Sequence, residues 1–432
     1  MDVSGILKVV AESKLVYPSE EKQSNTSIGS SKAFQELLQK SQKNPEAFWN
    51  DVAKELFWYE LWQKTISGNL PDFRFFEGGI SNPCVNLLDR HVENGAGNRT
   101  ALIWEGENGD TKFFTYNMLL AEVNRFSNVL RSFGVKKGDC VAIFLPNLAE
   151  AIIAVLACFR IGAIYNTVFS GYSEKSLKDR LISFEPKIIV TTDATIRRGN
   201  KVCLKEKVDR VIPDIPSIEA VIVVNRLNTE INMTEGRDFW WEELTKKASI
   251  LCEPEKLEAN EYGIVFYTSG TTGKPKGVVH SGMAFVIQNY IYSKYHMDHH
   301  DDDVFWCTAD IGWLTMHIWG IAGALANGVT TVVYEGSIDF PTKDRFYQVI
   351  EKYRVNKLFT APTALRMLKS LGEKVLNQFD LSCLDVVSLV GEPFDPESWQ
   401  WTYEELGKKK ICVNNTWGQT ETAGCPIAGA AW

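Results

Sequence analysis

Short, unbroken apolar runs recur along this chain and alternate with stretches of helical periodicity. CVAIFLP (140–146) is followed by NLAEAIIAVLACFRIG (147–162) and then AIYNTVF (163–169). The theme returns in PKIIVTTD (186–193), EAVIVVN (219–225), YGIVFYTSG (262–270), TTVVYEG (330–336), NKLFTAPT (356–363) and DVVSLVGEP (385–393). Continuous apolar runs suit strands buried on both faces, as in parallel sheets covered by helices. The expected fold class is therefore α/β, with parallel sheets flanked by helices in a layered arrangement. Several runs end in Gly, Thr, Asp or Glu, which puts polar groups at strand carboxyl ends, where open α/β sheets take their ligands. Asn147 is read as the cap of the helix that follows it.

Residues 1–75 have a different character: polar and charged, with a break at SNTSIGSS (24–31), then aromatic in FWNDVAKELFWYELWQK (48–64). There Phe48, Leu56, Trp58 and Trp62 fall at helical spacing. The division expected is a helical extension over 1–75 and one large ligand-binding domain over 76–432. At 432 residues the chain exceeds what one core usually holds. A net charge of −8 excludes a general nucleic-acid or membrane-surface binder, so any anionic ligand must be met by local groups. The longest apolar run, AIIAVLACF (151–159), stops at Arg160 and reads as a buried helix, not a membrane span. The opening MDVSGILKVVAESK is no secretory signal. Nine scattered cysteines without a CxxC pair read as reduced thiols, which points to the cytoplasm. His299 and His300 are read as a solvated turn, and Cys307 and Cys425 as packing thiols.

The densest chemical signal is YTSGTTGKPKGVVHS (267–281). Thr268, Ser269, Thr271 and Thr272 supply hydroxyls, and Lys274 and Lys276 supply charge. Gly270, Gly273 and Gly277 let backbone N–H groups approach an anion. The Lys-Ser/Thr pair of a Walker A loop is missing, which disfavours a P-loop kinase or ATPase.

This loop resembles the phosphate-binding loop of the acyl-adenylate-forming superfamily, the AMP-forming acyl-CoA synthetases. LIWEGE (102–107), LACFRIGAIYNTVFSGYS, DVFWCTADIGWLTMH, KLFTAPTALRML, VGEPFDPESWQW and TWGQTET are similar to its acetyl-CoA synthetase-like short-chain subfamily. The resemblance implies ATP, Mg2+ and coenzyme A as cofactors and a small carboxylic acid as substrate. It also implies an acyl-adenylate intermediate, with acyl-CoA, AMP and pyrophosphate as products. Carried over by motif, Thr268, Ser269, Gly270, Thr271, Thr272, Gly273 and Lys274 hold the β- and γ-phosphates, with Lys276 among the catalytic groups. Gly391, Glu392 and Pro393 line the adenine, with Asn415, Thr416, Trp417 and Gln419 beside it. Thr420 bonds the α-phosphate and Glu421 holds the metal. Trp313, Leu314, Thr315, Met316, Val390 and Gly418 border the acyl group. Gly171, Arg197, Arg198 and Ala361 contact coenzyme A, Arg197 facing its nucleotide phosphate.

Some positions depart from the family pattern. Asn415 stands where an acidic residue is usual, RRGN (197–200) stands for RAGR, and GWLTMH stands for GWVTGH. Gly418 replaces a tryptophan that closes the acetate pocket, and Met316 refills part of the space. Two or three further buried methylenes would gain about 2 kcal/mol, or ~30-fold. The expected substrate is accordingly a C4–C6 or hydroxylated or branched acid, such as butyrate or 4-hydroxybutyrate. The alternatives are an acetate or propionate ligase and a non-catalytic adenylate-binding protein. Because superfamily members continue beyond the TWGQTET motif, the chain is expected to be an N-terminal domain only, with the C-terminal domain absent and activity weak or lost.

Overall fold

The computed structural model describes residues 18–69, 71–269 and 274–431. The opening segment read for targeting lies outside them, as do Gly270, Thr271, Thr272 and Gly273. Two seven-stranded sheets organise the molecule. In spatial order the first runs Asp238–Trp240, Ala220–Val224, Ile188–Thr192, Cys140–Ile143, Ile164–Thr167, Tyr262–Ser269 and Pro275–Ser281. The second runs Cys412–Asn415, Val386–Leu389, Lys357–Thr360, Val304–Cys307, Thr330–Glu335, Thr100–Gly106 and Thr111–Thr115. Every pairing is parallel except the two hairpins that close one edge of each sheet.

Side-chain alternation sorts each strand between two cores. In the first sheet Val141 and Ile143 face the central core, while Ala142 and Phe144 face an outer one with Leu177, Leu181 and Val208. In the second sheet Leu102 and Trp104 face the central core, and Ile103 faces an outer core with Phe346, Ile350 and Leu365. The central layer holds the helices Tyr116–Ser132, Ala149–Ile161 and Gly282–Ser293 and the π-helical Met316–Gly323. The outer layers hold Glu174–Phe184 and Leu204–Val211 on one side, with Arg345–Tyr353, Pro362–Leu371 and Pro396–Trp401 on the other. The result is a five-layer α/β/α/β/α stack. All thirteen residues of Ala149–Ile161 are buried. Among the described residues no helix is long and apolar enough to cross a membrane.

Near the N-terminus Ser31–Lys43 is capped by Ser30, and Pro45–Lys54 by Asn44 with a proline in its first turn. The helix expected over 48–64 stops at Lys54. Beyond it Trp58 and Trp62 turn inward as a ring cluster with Phe76, centroids 4.9–5.9 Å apart. The Trp58 indole N–H donates to Ala53 O at 2.8 Å, so aromatic packing ends the helix.

Two further expectations change. Leu148, not Asn147, occupies the cap position, and its side chain makes no capping bond. Asn147 spans the two sheets instead: its amide donates to Ala309 O and Tyr334 O, each 3.2 Å, and accepts from Ile311 N at 2.7 Å. The His299–His300 turn is only half solvated. His300 is exposed, but His299 is buried, with Nε2 2.9 Å from Ser293 Oγ and Asp303 beyond Nδ1. The nine cysteines form no disulfide.

Candidate active site

Segment 267–281, expected as a loop, is mostly a β-hairpin. Tyr262–Ser269 pairs antiparallel with Pro275–Ser281, setting Thr268 opposite Lys276 and Ser269 opposite Pro275. Directly opposed residues share one face of a sheet, so the Thr268 and Lys276 side chains leave the hairpin on the same face, below the tip. Lys274 is exposed at that tip.

His280 and the helix Gly282–Ser293 join the hairpin to the TWGQTET segment. His280 is buried beside the Thr420 backbone and the Glu421 carboxylate, and burial depresses its pKa. From the helix, Gln288 Nε2 donates to Thr422 O and Asn289 Nδ2 to Ala423 O, both at 3.1 Å. Thr420 and Glu421 are thereby fixed next to the strand that carries Lys276. The Glu421 carboxylate is exposed and makes no ion pair among the described residues.

Along the carboxyl ends of the second sheet four neighbouring strands deliver the other candidates. Thr308 follows Val304–Cys307, Ala361 follows Lys357–Thr360, Val390 to Pro393 follow Val386–Leu389, and Asn415 and Thr416 close Cys412–Asn415. Thr308 Oγ1 and Thr360 Oγ1 bond at 2.7 Å. Thr416 is buried and ties back to Leu389 O through its N–H at 2.7 Å and its hydroxyl at 2.8 Å. Glu392 is held by the Thr363 hydroxyl and by Arg366, which lower its pKa in that order. Gly391 takes φ 103°, and Gly391, Pro393 and Asn415 are exposed.

A third group gathers around Phe169. The Gly171 Cα–Cβ direction points at its ring, Arg197 lies 5.9 Å from its centroid, and Trp313 lies 5.8 Å from it. Trp313 is 48% exposed and stands with Gly171 and Arg197 rather than with Leu314 and Met316. Arg198, with φ 50°, turns away and pairs with Asp339 at 2.9 Å. Asp310 shares a cavity of about 150 Å³ with Arg197. Burial pushes the Asp310 carboxyl up to about 6, against the pull of the Gly312 N–H and of Arg197.

The acyl-pocket expectation does not hold in its original form. Gly418 lies in Trp417–Gln419, paired antiparallel with Gly424–Ile427. A Cβ on it would run into the Gly424 carbonyl oxygen and lie 3.0 Å from Cys425 Sγ. The glycine thus permits close strand approach, and the space beside it is filled by backbone. Leu314 and Met316 are buried, Met316 lying against Gly320 of its own helix. Thr315 and Val390 remain half-buried. Gln419 and Trp417 are exposed.

Sequence reasoning missed His280, Asn147, Phe169 and Asp310. Each lies within a quoted motif, but none has a spacing that announces a partner. His317, next to Met316, is wholly enclosed: its Nε2–H donates to Ile311 O at 2.8 Å and its Nδ1 accepts from Tyr165 at 3.0 Å. Burial lowers its pKa to about 4, so the ring is neutral.

Known proteins resemble this chain along the same lines. Residues 34–87 match the family described as acetyl-coenzyme A synthetase N-terminus, and residues 88–430 match AMP-binding enzyme. An acetyl-coenzyme A synthetase of Gemmatimonas aurantiaca is 44% identical over 397 residues, covering 90% of this chain and 61% of that protein. One from Pyrobaculum arsenaticum is 44% identical over 404 residues, covering 91% and 60%. Acetyl-coenzyme A synthetase 2 of Pseudomonas aeruginosa is 41% identical, covering 92% and 62%. The chain thus spans about three-fifths of the length of these relatives. The solved acetoacetyl-CoA synthetase from Streptomyces lividans shares the fold, with TM-score 0.88 at 23% identity over 96% of this chain and 66% of that one. The expectation of an N-terminal domain only, C-terminal domain absent and activity weak or lost, is withdrawn: the matches account for the chain almost from end to end. The chain belongs to the family of AMP-binding enzymes, with an acetyl-coenzyme A synthetase N-terminus preceding the main match.

Proposed function

We propose that the protein is an AMP-forming acid–thiol ligase that activates acetate or propionate with ATP and passes the acyl group to coenzyme A. The observation that carries this is the convergence of Thr268 and Lys276 with Thr420 and Glu421 through His280 and the helix behind it. That arrangement supplies hydroxyls, an amine and an exposed carboxylate around one small region. Relatives over 40% identical bear the name acetyl-coenzyme A synthetase, which supports the shorter acids. So do the buried bulk of Leu314 and Met316 and the filled space beside Gly418.

The first step needs no protein base. A carboxylic acid is ionised at neutral pH, so its oxygen can attack the α-phosphorus while the bond to pyrophosphate breaks. The protein's task is to align the reactants and offset phosphate charge. Lys276 and Lys274 supply positive charge, and the Thr268, Ser269 and Thr420 hydroxyls donate to phosphate oxygens. In the second step the thiolate sulfur attacks the acyl carbon and AMP leaves. Glu421 and the neighbouring hydroxyls form an all-oxygen set suited to Mg2+, which takes one or two carboxylates and completes its shell with phosphates and water. Among the described residues no group of three or more His, Cys, Asp or Glu could hold a metal ion, and Glu421 would be the carboxylate that holds it. When bound, the ion would offset charge on the phosphates.

The test is pyrophosphate and AMP release over C2–C6 acids, including 4-hydroxybutyrate. Acetate or propionate is expected to exceed butyrate by about tenfold in kcat/KM, a difference of ~1.4 kcal/mol. Preference for butyrate would restore the larger pocket; ADP as product would overturn the reaction class.

A further inference from the structure

A small hairpin, Ala194–Arg197 with Asn200–Cys203, leaves the end of the first sheet and reaches the second. Thr195 Oγ1 donates to Glu335 Oε1 at 2.7 Å, and the Arg198 guanidinium donates twice to Asp339 at 2.9 Å. The Phe340 ring lies against Gly199. The most economical of these attachments is Glu107, a buried carboxylate at the carboxyl end of Thr100–Gly106. Its Oε2 accepts from Arg198 N at 3.0 Å and Ser337 N at 2.9 Å, and its Oε1 accepts from Gly199 N at 2.7 Å. Gly336 makes room for it: a Cβ there would stand 2.6 Å from Oε2, and its φ of 126° disfavours any other residue.

These contacts fix the backbone on both sides of one cavity. Arg197 precedes the clamped pair, Ser337 belongs to the clamp, and both line the 150 Å³ space together with Asp310, Thr308, Asn147 and Tyr334. Arg198 pairs with Asp339, and of the hairpin's cations Arg197 is the one that lines this cavity. We propose that Glu107 is a positioning residue for thiol-substrate binding. By gathering three backbone N–H groups from two loops, it holds the Arg197 guanidinium at the mouth of the cavity, where a phosphate on the nucleotide end of coenzyme A is met. The inference rests on the reading of Arg197 as a coenzyme A contact.

Glutamine at position 107 has nearly the same shape but sets an NH2 donor against at least one of the three N–H groups. It therefore loosens the tip without emptying the site. The experiment is calorimetric titration of the full chain with coenzyme A, with dephospho-coenzyme A lacking the ribose 3′-phosphate, and with ATP. Arg197→Ala is expected to weaken coenzyme A about tenfold while leaving dephospho-coenzyme A nearly unchanged. Glu107→Gln is expected to weaken coenzyme A about threefold with the same selectivity and unchanged ATP binding, and the double variant to bind no worse than Arg197→Ala alone. Glu107→Asp, which keeps the charge but withdraws it, replaces Glu107→Gln if that variant does not fold. If Arg197→Ala weakens coenzyme A and neither Glu107 variant does, the positioning role is overturned while the contact stands. Equal loss of ATP and coenzyme A in both Glu107 variants overturns it as well. Unchanged affinity in Arg197→Ala overturns the contact and the positioning role together.

Discussion

A Cβ on Gly418 has no room between Trp417–Gln419 and Gly424–Ile427, so Gly418→Ala is expected to lose about 1–3 kcal/mol of stability, as overpacked sites do. Urea unfolding measures it; a variant as stable as the parent would reopen the case for a void there. At Lys276 the expectation is chemical. Lys276→Ala should lower the rate of acid-dependent pyrophosphate exchange by about a hundredfold, ~2.7 kcal/mol of barrier, with the melting temperature little changed. Retained exchange would remove Lys276 from the charge-offsetting role. At this scale the sequence announces residue types but not what faces them. Thr268 and Lys276 are legible as donors because their chemistry is local. Gly418 misleads because its significance lies in Gly424 and Cys425, a strand away. Glu107 does not stand out in the sequence because its partners Arg198, Gly199 and Ser337 come from distant loops.

Every apolar run read from the sequence as a strand contains one, because continuous burial leaves a local mark. The edges are harder. Pro275–Ser281 is largely unburied, with Lys276 and Gly277 near its tip, so it reads as loop although it pairs along its whole length. Thr111–Thr115 is likewise mostly exposed. Asn147 illustrates the joints between elements. A residue that suits a helix cap instead satisfies two carbonyls and one N–H from the opposite sheet. Asn147→Ala leaves those buried groups unpaired, at about 1–3 kcal/mol each where water does not replace the amide. Faster amide hydrogen exchange at Ile311 is the expected sign, and unchanged protection would show that the joint is held by other contacts.

Across the whole molecule the buried histidines set a pH dependence. His296 and His317 are enclosed and neutral, with burial lowering both to about 4. The unfolded chain takes up their protons near pH 6.5, the native state only near 4. Stability is therefore full above about pH 6.5 and is lost as pH falls towards 4, by up to about 3 kcal/mol per ring. Melting temperatures measured from pH 7.5 to 4.5 should fall, and a flat profile would contradict the neutral assignment. The layered α/β class is legible from the alternation of runs, and the sorting into three cores comes from side-chain parity along each strand. The stacking of the two sheets is not, because helices that face a sheet on each side look like any other apolar helix. Ala149–Ile161 is the extreme case, enclosed on every face. Its amides can meet solvent deuterium only when the entire stack comes apart, so this helix offers an internal clock for global opening against which the mobility of every other segment can be timed.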